Sequence, residues 1–273
     1  MTKTQIQLPI QEPEQGPMPF SIALSSDELF IYAQLNELSK LLKITIGQKS
    51  MMIVTGEAGV GKSTAVSATT DQLPTNKYLV IYLGQDQEGA SIWRRLASSL
   101  GLRPSISRAH TRLSISQYLN DNLLEKGKDV VLVVDEAHLL DLTTLEDIRL
   151  LTNTDFDRSP ALTVILLGQL SLRSRVKTAG FEALNQRLRH RYALEGFSEE
   201  ETAGYIKHRL HVSGWDQEFF APDAIRQIFL ASQGIPREIN NYCLSALLKA
   251  QNQQLNRIDR KLIKHVLDQR ELN

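Results

Sequence analysis

The segment Gly56-Glu57-Ala58-Gly59-Val60-Gly61-Lys62-Ser63 matches the spacing G-x-x-x-x-G-K-[ST] at every fixed position. Its glycines let backbone N–H groups surround phosphate oxygens, and the helix that follows directs its positive end at them. Lys62 can then reach the β and γ phosphates, and the Ser63 hydroxyl can ligate Mg2+. The alternative is a glycine-rich turn that binds nothing. A strand-like run before the loop and a helix-like run after it favour a phosphate site, with contacts from Gly56, Glu57, Ala58, Gly59, Val60, Gly61, Lys62, Ser63 and Thr64.

Two carboxylates, Asp135 and Glu136, follow a second informative run, Val130–Val134. A continuous aliphatic run of this length is typical of a central parallel strand that is buried on both faces. Its two acids would then stand at the carboxyl edge of the sheet, where ligands of α/β folds bind. We expect Asp135 to hold Mg2+ through water and Glu136 to act as the base on the attacking water. The alternative is that both acids simply begin a helix.

The composition is that of an ordinary soluble globular protein, with 42% hydrophobic and 23% charged residues and a formal net charge of zero. Bulk charge therefore gives no support for a nucleic-acid partner. The one cysteine, Cys243, lies in an apolar helical pattern and is interpreted as a buried filler. With no disulfide possible and no apolar run long enough to span a bilayer, we expect a cytoplasmic protein without membrane contact.

Strand-like and helix-like segments alternate up to Glu195, which predicts an α/β fold with a parallel five-stranded sheet and helices on both faces. Helices are predicted to open at Ser25-x-x-Glu28, Ser91 and Ser114-x-x-Gln117. After Ser198 the pattern is helical throughout. We therefore expect a flexible arm over residues 1–19, a nucleotide-binding domain over 20–197 and a helical lid subdomain over 198–273. The predicted strands are Met51–Thr55, Tyr78–Leu83, Val130–Val134, Leu162–Gln169 and His190–Glu195.

A phosphate-loop core followed by a small helical lid resembles the AAA+ ATPase superfamily, from about Phe20 to Leu267. One branch of it, the ExeA-type secretion ATPases and the TniB/TnsC-like ATPases of DNA transposition, is similar in four further segments. They are Asp135–Leu140, Leu167–Gln169, Asn185–Leu188 and Gly234–Asn240. The resemblance implies a P-loop NTPase that hydrolyses ATP with Mg2+.

The same resemblance implies roles for three more residues. Gln169 matches the first sensor, which orients the attacking water. Arg187 matches the arginine finger, which completes the site of a neighbouring subunit, although Arg189 and Arg191 lie close enough to take that role. Arg237 matches the second sensor, which reaches from the lid to the γ phosphate. A finger acting in trans implies a homo-oligomer, either a ring or a helical filament. Each residue also has an ordinary structural explanation. Gln169 could simply end a strand and bond to a loop, and the three arginines near position 187 could form a solvated basic surface. Arg237 could pair with Glu238 at the start of a helix.

Local charge is uneven although the total is zero. Segments 88–128 and 171–195 each carry a net charge of +4. Within the first, four basic side chains are predicted to lie in a polar loop that suits contact with the phosphate backbone of duplex DNA without base readout. The alternative is a solvated basic surface or a contact with an acidic neighbour. The four are Arg103, Arg108, His110 and Arg112.

Two functions fit these observations. The first is an ATP-dependent regulator of DNA transposition that assembles on duplex DNA and recruits or activates a transposase, with a target-selection protein as a further partner. The second is a secretion-type ATPase that couples ATP hydrolysis to envelope assembly. Because the chain stops at Asn273 without a membrane span, the sequence favours the first. A signalling NTPase of the STAND type is disfavoured because no repeat or effector domain is attached.

Overall fold

A computed structural model of the protein describes residues 19–20, 24–84, 91–125, 127–152, 162–215 and 218–271. It contains a five-stranded sheet in the order β2-β3-β4-β1-β5, in which every neighbouring pair is parallel. The predicted fold class is therefore confirmed. The strands are β1 (Met51–Thr55), β2 (Tyr78–Leu83), β3 (Asp129–Val134), β4 (Leu162–Gly168) and β5 (Leu188–Ala193).

The burial of the strands follows their composition. All residues of β1 and β4 are buried, as are the five apolar residues of β3, and these three strands occupy the interior of the sheet. Side chains of the edge strands β2 and β5 are partly exposed. Each Val, Leu or Ile that is fully buried contributes about 1.5–3 kcal/mol to folding, so the interior strands hold the site's framework rigidly.

Helices connect the strands, and further helices follow the last strand along the chain. Two short 3-10 turns, Ser26–Glu28 and Ala137–Leu139, accompany them. The helices are α1 (Ala33–Gly47), α2 (Lys62–Thr70), α3 (Ile92–Ser99), α4 (Arg108–Leu124), α5 (Leu142–Leu151), α6 (Leu170–Arg175), α7 (Glu182–Arg187), α8 (Glu199–Val212), α9 (Pro222–Ser232), α10 (Pro236–Asn252) and α11 (Arg260–Glu271).

The chain divides into two compact units. One comprises Gln34–Ala58 and Lys62–Leu194, and its core packs around Trp93 and the interior strands. The other comprises the described part of Met1–Ala33, Gly59–Gly61 and the described part of Glu195–Asn273, and its core lies among the C-terminal helices. Cys243 is fully buried there, and burial raises the pKa of its thiol well above the usual value. The predicted arm, residues 1–19, lies outside the described residues except for Pro19.

The first helix begins later than the capping pattern at Ser25 predicts. Ser25 and Glu28 do form a capping box, but it opens a single 3-10 turn, after which Leu29 is extended. Phe30 and Tyr32 then pack their rings against Phe197, with centroids 5.7 and 4.8 Å away. Aromatic packing within this unit therefore overrides the local helix signal, and α1 starts at Ala33.

Two further boundaries differ from the prediction. Helix α4 begins at Arg108 and not at Ser114, whose hydroxyl donates to the carbonyl of His110 inside the helix. The Ser107 hydroxyl accepts the N–H of His110, so Ser107 is the residue that satisfies the helix start. Strand β5 begins two residues early, at Leu188, because this buried side chain lies in register with Met51 of β1.

Candidate functional site

The glycine-rich segment forms a loop between β1 and α2. Gly59 and Gly61 have φ angles of +82° and +99°, a backbone region that residues with a Cβ rarely adopt. The loop therefore depends on glycine at both positions for its curvature. Helix α2 begins at Lys62, so Ser63 and Thr64 lie in its first turn, where backbone N–H groups and the helix dipole favour an anion.

The Lys62 side chain is 6% exposed and lies along the inside of the loop. Its amine donates to the carbonyl oxygens of Gly56 and Glu57, both at 2.9 Å. A buried ammonium is stable only where oxygens surround it. This arrangement holds a positive charge at the loop that the predicted phosphates would approach.

Ser63 and Asp135 meet at the carboxyl edge of the sheet. The Ser63 hydroxyl donates to Asp135 Oδ2 at 2.5 Å, and Asp135 Oδ1 accepts the N–H of Glu136 at 2.8 Å. A hydroxyl and a carboxylate are hard oxygen donors of the kind that Mg2+ takes, usually together with phosphate oxygens and water. The two predicted metal ligands therefore fit a shared Mg2+ ion.

Glu136 adopts a left-handed backbone conformation, with φ 51° and ψ 33°. This conformation is uncommon for a residue with a Cβ, and such outliers cluster at functional sites. The Glu136 side chain is 40% exposed, and its Oε2 lies 3.4 Å from His138 Nδ1. Glu136 therefore presents a solvent-accessible carboxylate directly beside the predicted metal ligand Asp135.

Gln169 is the first residue after β4. Because β4 lies between β3 and β1, Gln169 emerges between the strand ends that carry Asp135 and the phosphate loop. The residue is exposed and occupies the N-cap position of α6, but within the described residues its side chain makes no capping hydrogen bond. Strand order therefore brings Lys62, Ser63, Asp135, Glu136 and Gln169 to one edge of the sheet.

Each of the three finger candidates has a partner within its own chain. The Arg187 guanidinium is half-buried and donates to Thr152 Oγ1 at 3.3 Å and to the Thr152 carbonyl at 3.4 Å. Arg191 donates to the carbonyl and side-chain oxygens of Asn185 at 2.8 and 2.9 Å. Arg189 is exposed and reaches Gln48 Oε1 at 3.4 Å. A role in a neighbouring subunit would require Arg187 to exchange its contacts with Thr152.

Arg237 lies in the first turn of α10, in the same compact unit as Gly59. Its N–H donates to the Gly59 carbonyl at 3.3 Å, and a Cβ on Gly59 would stand 2.7 Å from the Arg237 Cβ. Gly234 sets the start of this helix: at φ +73°, a Cβ there would lie 2.0 Å from the Phe197 carbonyl oxygen. Arg237 thus packs against Gly59, and its role as second sensor stays a prediction.

The prediction that the four basic side chains share one loop is wrong. Arg103 lies in a loop, but Arg108, His110 and Arg112 belong to α4. Arg108 and Arg112 bind Asp147 at 2.8 and 2.6 Å, and the Asp147 side chain is 7% exposed. Both guanidinium groups also lie about 6 Å from the Trp93 ring, at 6.0 and 5.9 Å. Two of the four basic groups therefore hold α4 to α5, which the sequence pattern did not indicate.

We expect Asp147→Asn to destabilise the protein by about 1–3 kcal/mol. The substitution removes the buried negative charge that accepts hydrogen bonds from the Arg108 and Arg112 guanidinium groups. Urea denaturation at pH 7 measures this. Asp121→Asn provides the control, since Asp121 is an exposed acid on α4. Equal unfolding free energies for the two variants would show that the ion pairs contribute nothing to stability.

The sequence also gave no signal for Arg175, at the end of α6. Its Nη1 donates to the carbonyl of His138 at 2.9 Å, and its guanidinium carbon lies 5.2 Å from the centre of the Phe181 ring. His138 belongs to the 3-10 turn that directly follows Glu136. Arg175 was recognisable in the sequence only as one positive charge among several.

The strand order and the site at its carboxyl edge define a P-loop NTPase fold of the AAA class. Residues 44–176 match the family described as AAA domain. The chain is similar to General secretion pathway protein A of Aeromonas hydrophila, with 32% identity over 238 residues; the match covers 85% of this chain and 43% of that relative. The chain thus spans less than half of the relative's length.

Two solved structures share the fold. Cdc6p from Pyrobaculum aerophilum matches with a TM-score of 0.65 and 14% identity, over 88% of this chain and 67% of that one. The ORC2 protein of Aeropyrum pernix matches with a TM-score of 0.65 and 12% identity, over 91% of this chain and 70% of that one. At these identities the likeness concerns the fold alone. Among the described residues, no helix is both long and apolar enough to cross a bilayer.

Proposed function

We propose that this protein is an Mg2+-dependent ATPase. The observation that carries the proposal is the meeting of Lys62, Ser63, Asp135, Glu136 and Gln169 at the carboxyl ends of three adjacent strands. A module that only binds nucleotide has no need of a strained, exposed carboxylate at Glu136. That carboxylate, one residue from the metal ligand Asp135, suits a base acting on water.

Each residue has a separate task in this reaction. The loop amides and Lys62 bind the phosphates of ATP, while Ser63 and Asp135 would hold Mg2+, which neutralises phosphate charge when bound. Glu136 accepts the proton of the attacking water, and Gln169 orients that water. Arg187 of a neighbouring subunit supplies a cation to the transferred phosphoryl group, and Arg237 is assigned the second sensor role.

The secretion role is favoured over the transposition role. Its support is the 32% identity with General secretion pathway protein A over 238 residues, which extends beyond the phosphate loop to most of the chain. The transposition role drew on the basic loop, whose Arg108 and Arg112 instead bind Asp147. It also drew on the position of the C-terminus. That position carries no weight, because the chain spans 43% of the relative. We therefore assign ATP hydrolysis coupled to a secretion pathway.

Sedimentation velocity with a non-hydrolysable ATP analogue and labelled duplex DNA tests this assignment. We expect assembly that depends on the nucleotide and not on DNA, because the trans contact of Arg187 requires a γ phosphate. Samples with ADP and without nucleotide are the controls. A monomer at every concentration would contradict the trans role of Arg187. Co-sedimentation of DNA that weakens steeply with salt would instead support the transposition role.

A further inference from the structure

The turn that follows Glu136 is bound by a charged side chain from another element. The turn, Ala137–Leu139, leads away from the strained Glu136 backbone. The Arg175 guanidinium donates to its His138 carbonyl at 2.9 Å. Charge-assisted hydrogen bonds of this kind are about twice as strong as neutral ones. The position of the turn therefore depends on where α6 places Arg175.

The same turn also lies close to the last residue of β4. A Cβ on Gly168, the last residue of β4, would lie 3.4 Å from the backbone nitrogen of His138 and 2.7 Å from Leu172 Cδ2. The bare glycine thus leaves room for Leu172 of α6 over the end of β4, and the backbone nitrogen of His138 lies close to the same residue. The turn therefore lies beside both the end of β4 and α6, and Arg175 binds its His138 carbonyl.

Helix α6 connects two parts of the proposed reaction. It begins directly after Gln169 and ends at Arg175, within six residues. The Phe181 ring packs against the guanidinium at 5.2 Å and restricts where it can point. One short rigid element therefore carries the residue expected to orient the water and contacts the turn that presents the base.

We infer that Arg175 is a positioning residue for hydrolysis, acting through the His138 carbonyl to hold Glu136 at a fixed distance from Gln169. Arg175 does not touch the substrate, and it makes no contact with the phosphate loop among the interactions of the described residues. Its loss should therefore slow the chemical step and leave nucleotide affinity unchanged. This inference rests on the proposed ATPase function.

The test compares kcat and KM for ATP in the full chain and in Arg175→Met, Arg175→Lys and Arg173→Met. Arg173 is the matched control, an exposed cation on the same helix. Because a misplacement of about 1 Å can cost a factor of about 100, we expect kcat of Arg175→Met to fall about 10- to 100-fold at unchanged KM. Lysine, which keeps a charged donor, should restore part of the rate, and Arg173→Met should match the wild type.

Amide hydrogen exchange over 136–140 provides a readout that does not require turnover. We expect faster exchange in Arg175→Met than in the wild type, and wild-type exchange in Arg173→Met. An unchanged kcat in Arg175→Met, or a parallel loss of affinity, would overturn the inference, as would unchanged exchange. If Arg175→Met does not fold, Arg175→Lys carries the same comparison. A wild type without turnover would refute the ATPase proposal, and exchange alone would then decide whether Arg175 holds the turn.

Discussion

Replacing Lys62 by alanine should weaken ATP binding at least 100-fold and remove nucleotide-dependent assembly with it. The amine is a buried positive charge held inside the loop by the carbonyls of Gly56 and Glu57, at 2.9 Å each. Once the amine exchanges these contacts for phosphate oxygens, it would donate charge-assisted hydrogen bonds to them, which alanine cannot make. Isothermal titration calorimetry with ATP and Mg2+ measures the loss.

The control for this variant is Lys40→Ala. Lys40 is an exposed lysine on α1 and should bind ATP with wild-type affinity when replaced. Thermal melts without nucleotide separate loss of binding from loss of folding, since the two carbonyls also lose a partner in Lys62→Ala. Wild-type affinity in a folded Lys62→Ala protein would contradict the phosphate site, and with it the proposed function.

The sheet could be predicted because its interior strands are buried on both faces. β1, β3 and β4 are continuous apolar runs in the sequence, and their burial requires no knowledge of distant partners. The residues that follow them, from Gly56 to Ser63 and at Asp135, Glu136 and Gln169, could be placed at one edge because parallel strands end together. Strand order, which sets Gln169 between the other two groups, came from the structure alone.

Contacts between residues far apart in the sequence could not be predicted. Arg108 was predicted to lie in a loop because the capping pattern placed the helix start at Ser114, and its partner, Asp147, lies 39 positions away on another helix. Arg187 likewise bonds Thr152 at a separation of 35 positions, and nothing local distinguishes it from a solvated cation. The helix predicted from the capping box at Ser25 was also wrong because of a distant contact. The rings of Phe30 and Tyr32, which follow the turn, pack against Phe197.

Some glycines could be recognised from the sequence and others could not. The loop glycines Gly59 and Gly61 could be recognised from their spacing, since the motif requires a positive φ at such positions. Gly168 gave no comparable signal, because the atoms that a Cβ there would meet, Leu172 Cδ2 at 2.7 Å and the His138 nitrogen at 3.4 Å, reach it only in the folded chain. Sequence patterns therefore predicted the position of the loop and strand-end residues better than the contacts that support them.

Glu136→Gln should lower the rate of ATP hydrolysis at least 100-fold and leave ATP binding intact. Glutamine has the shape of glutamate, so it preserves the contacts of the side chain beside His138 and the left-handed backbone at φ 51°. An amide cannot accept the proton of the attacking water, and general-base catalysis typically contributes a factor of about 100 to 10,000. Single-turnover phosphate release measures the rate, and calorimetry measures the affinity.

The consequence for assembly distinguishes this variant from Lys62→Ala. A protein that binds ATP but cannot cleave it keeps the γ phosphate that Arg187 of a neighbour would contact, so Glu136→Gln should remain assembled with ATP itself, without an analogue. Glu125→Gln, which alters an exposed acid after α4, should hydrolyse ATP and disassemble as the wild type does. Rapid turnover by Glu136→Gln would remove Glu136 from the role of base. Joint loss of binding and turnover would place Glu136 in nucleotide binding, and hydrolysis would then require another base among the residues at the sheet edge.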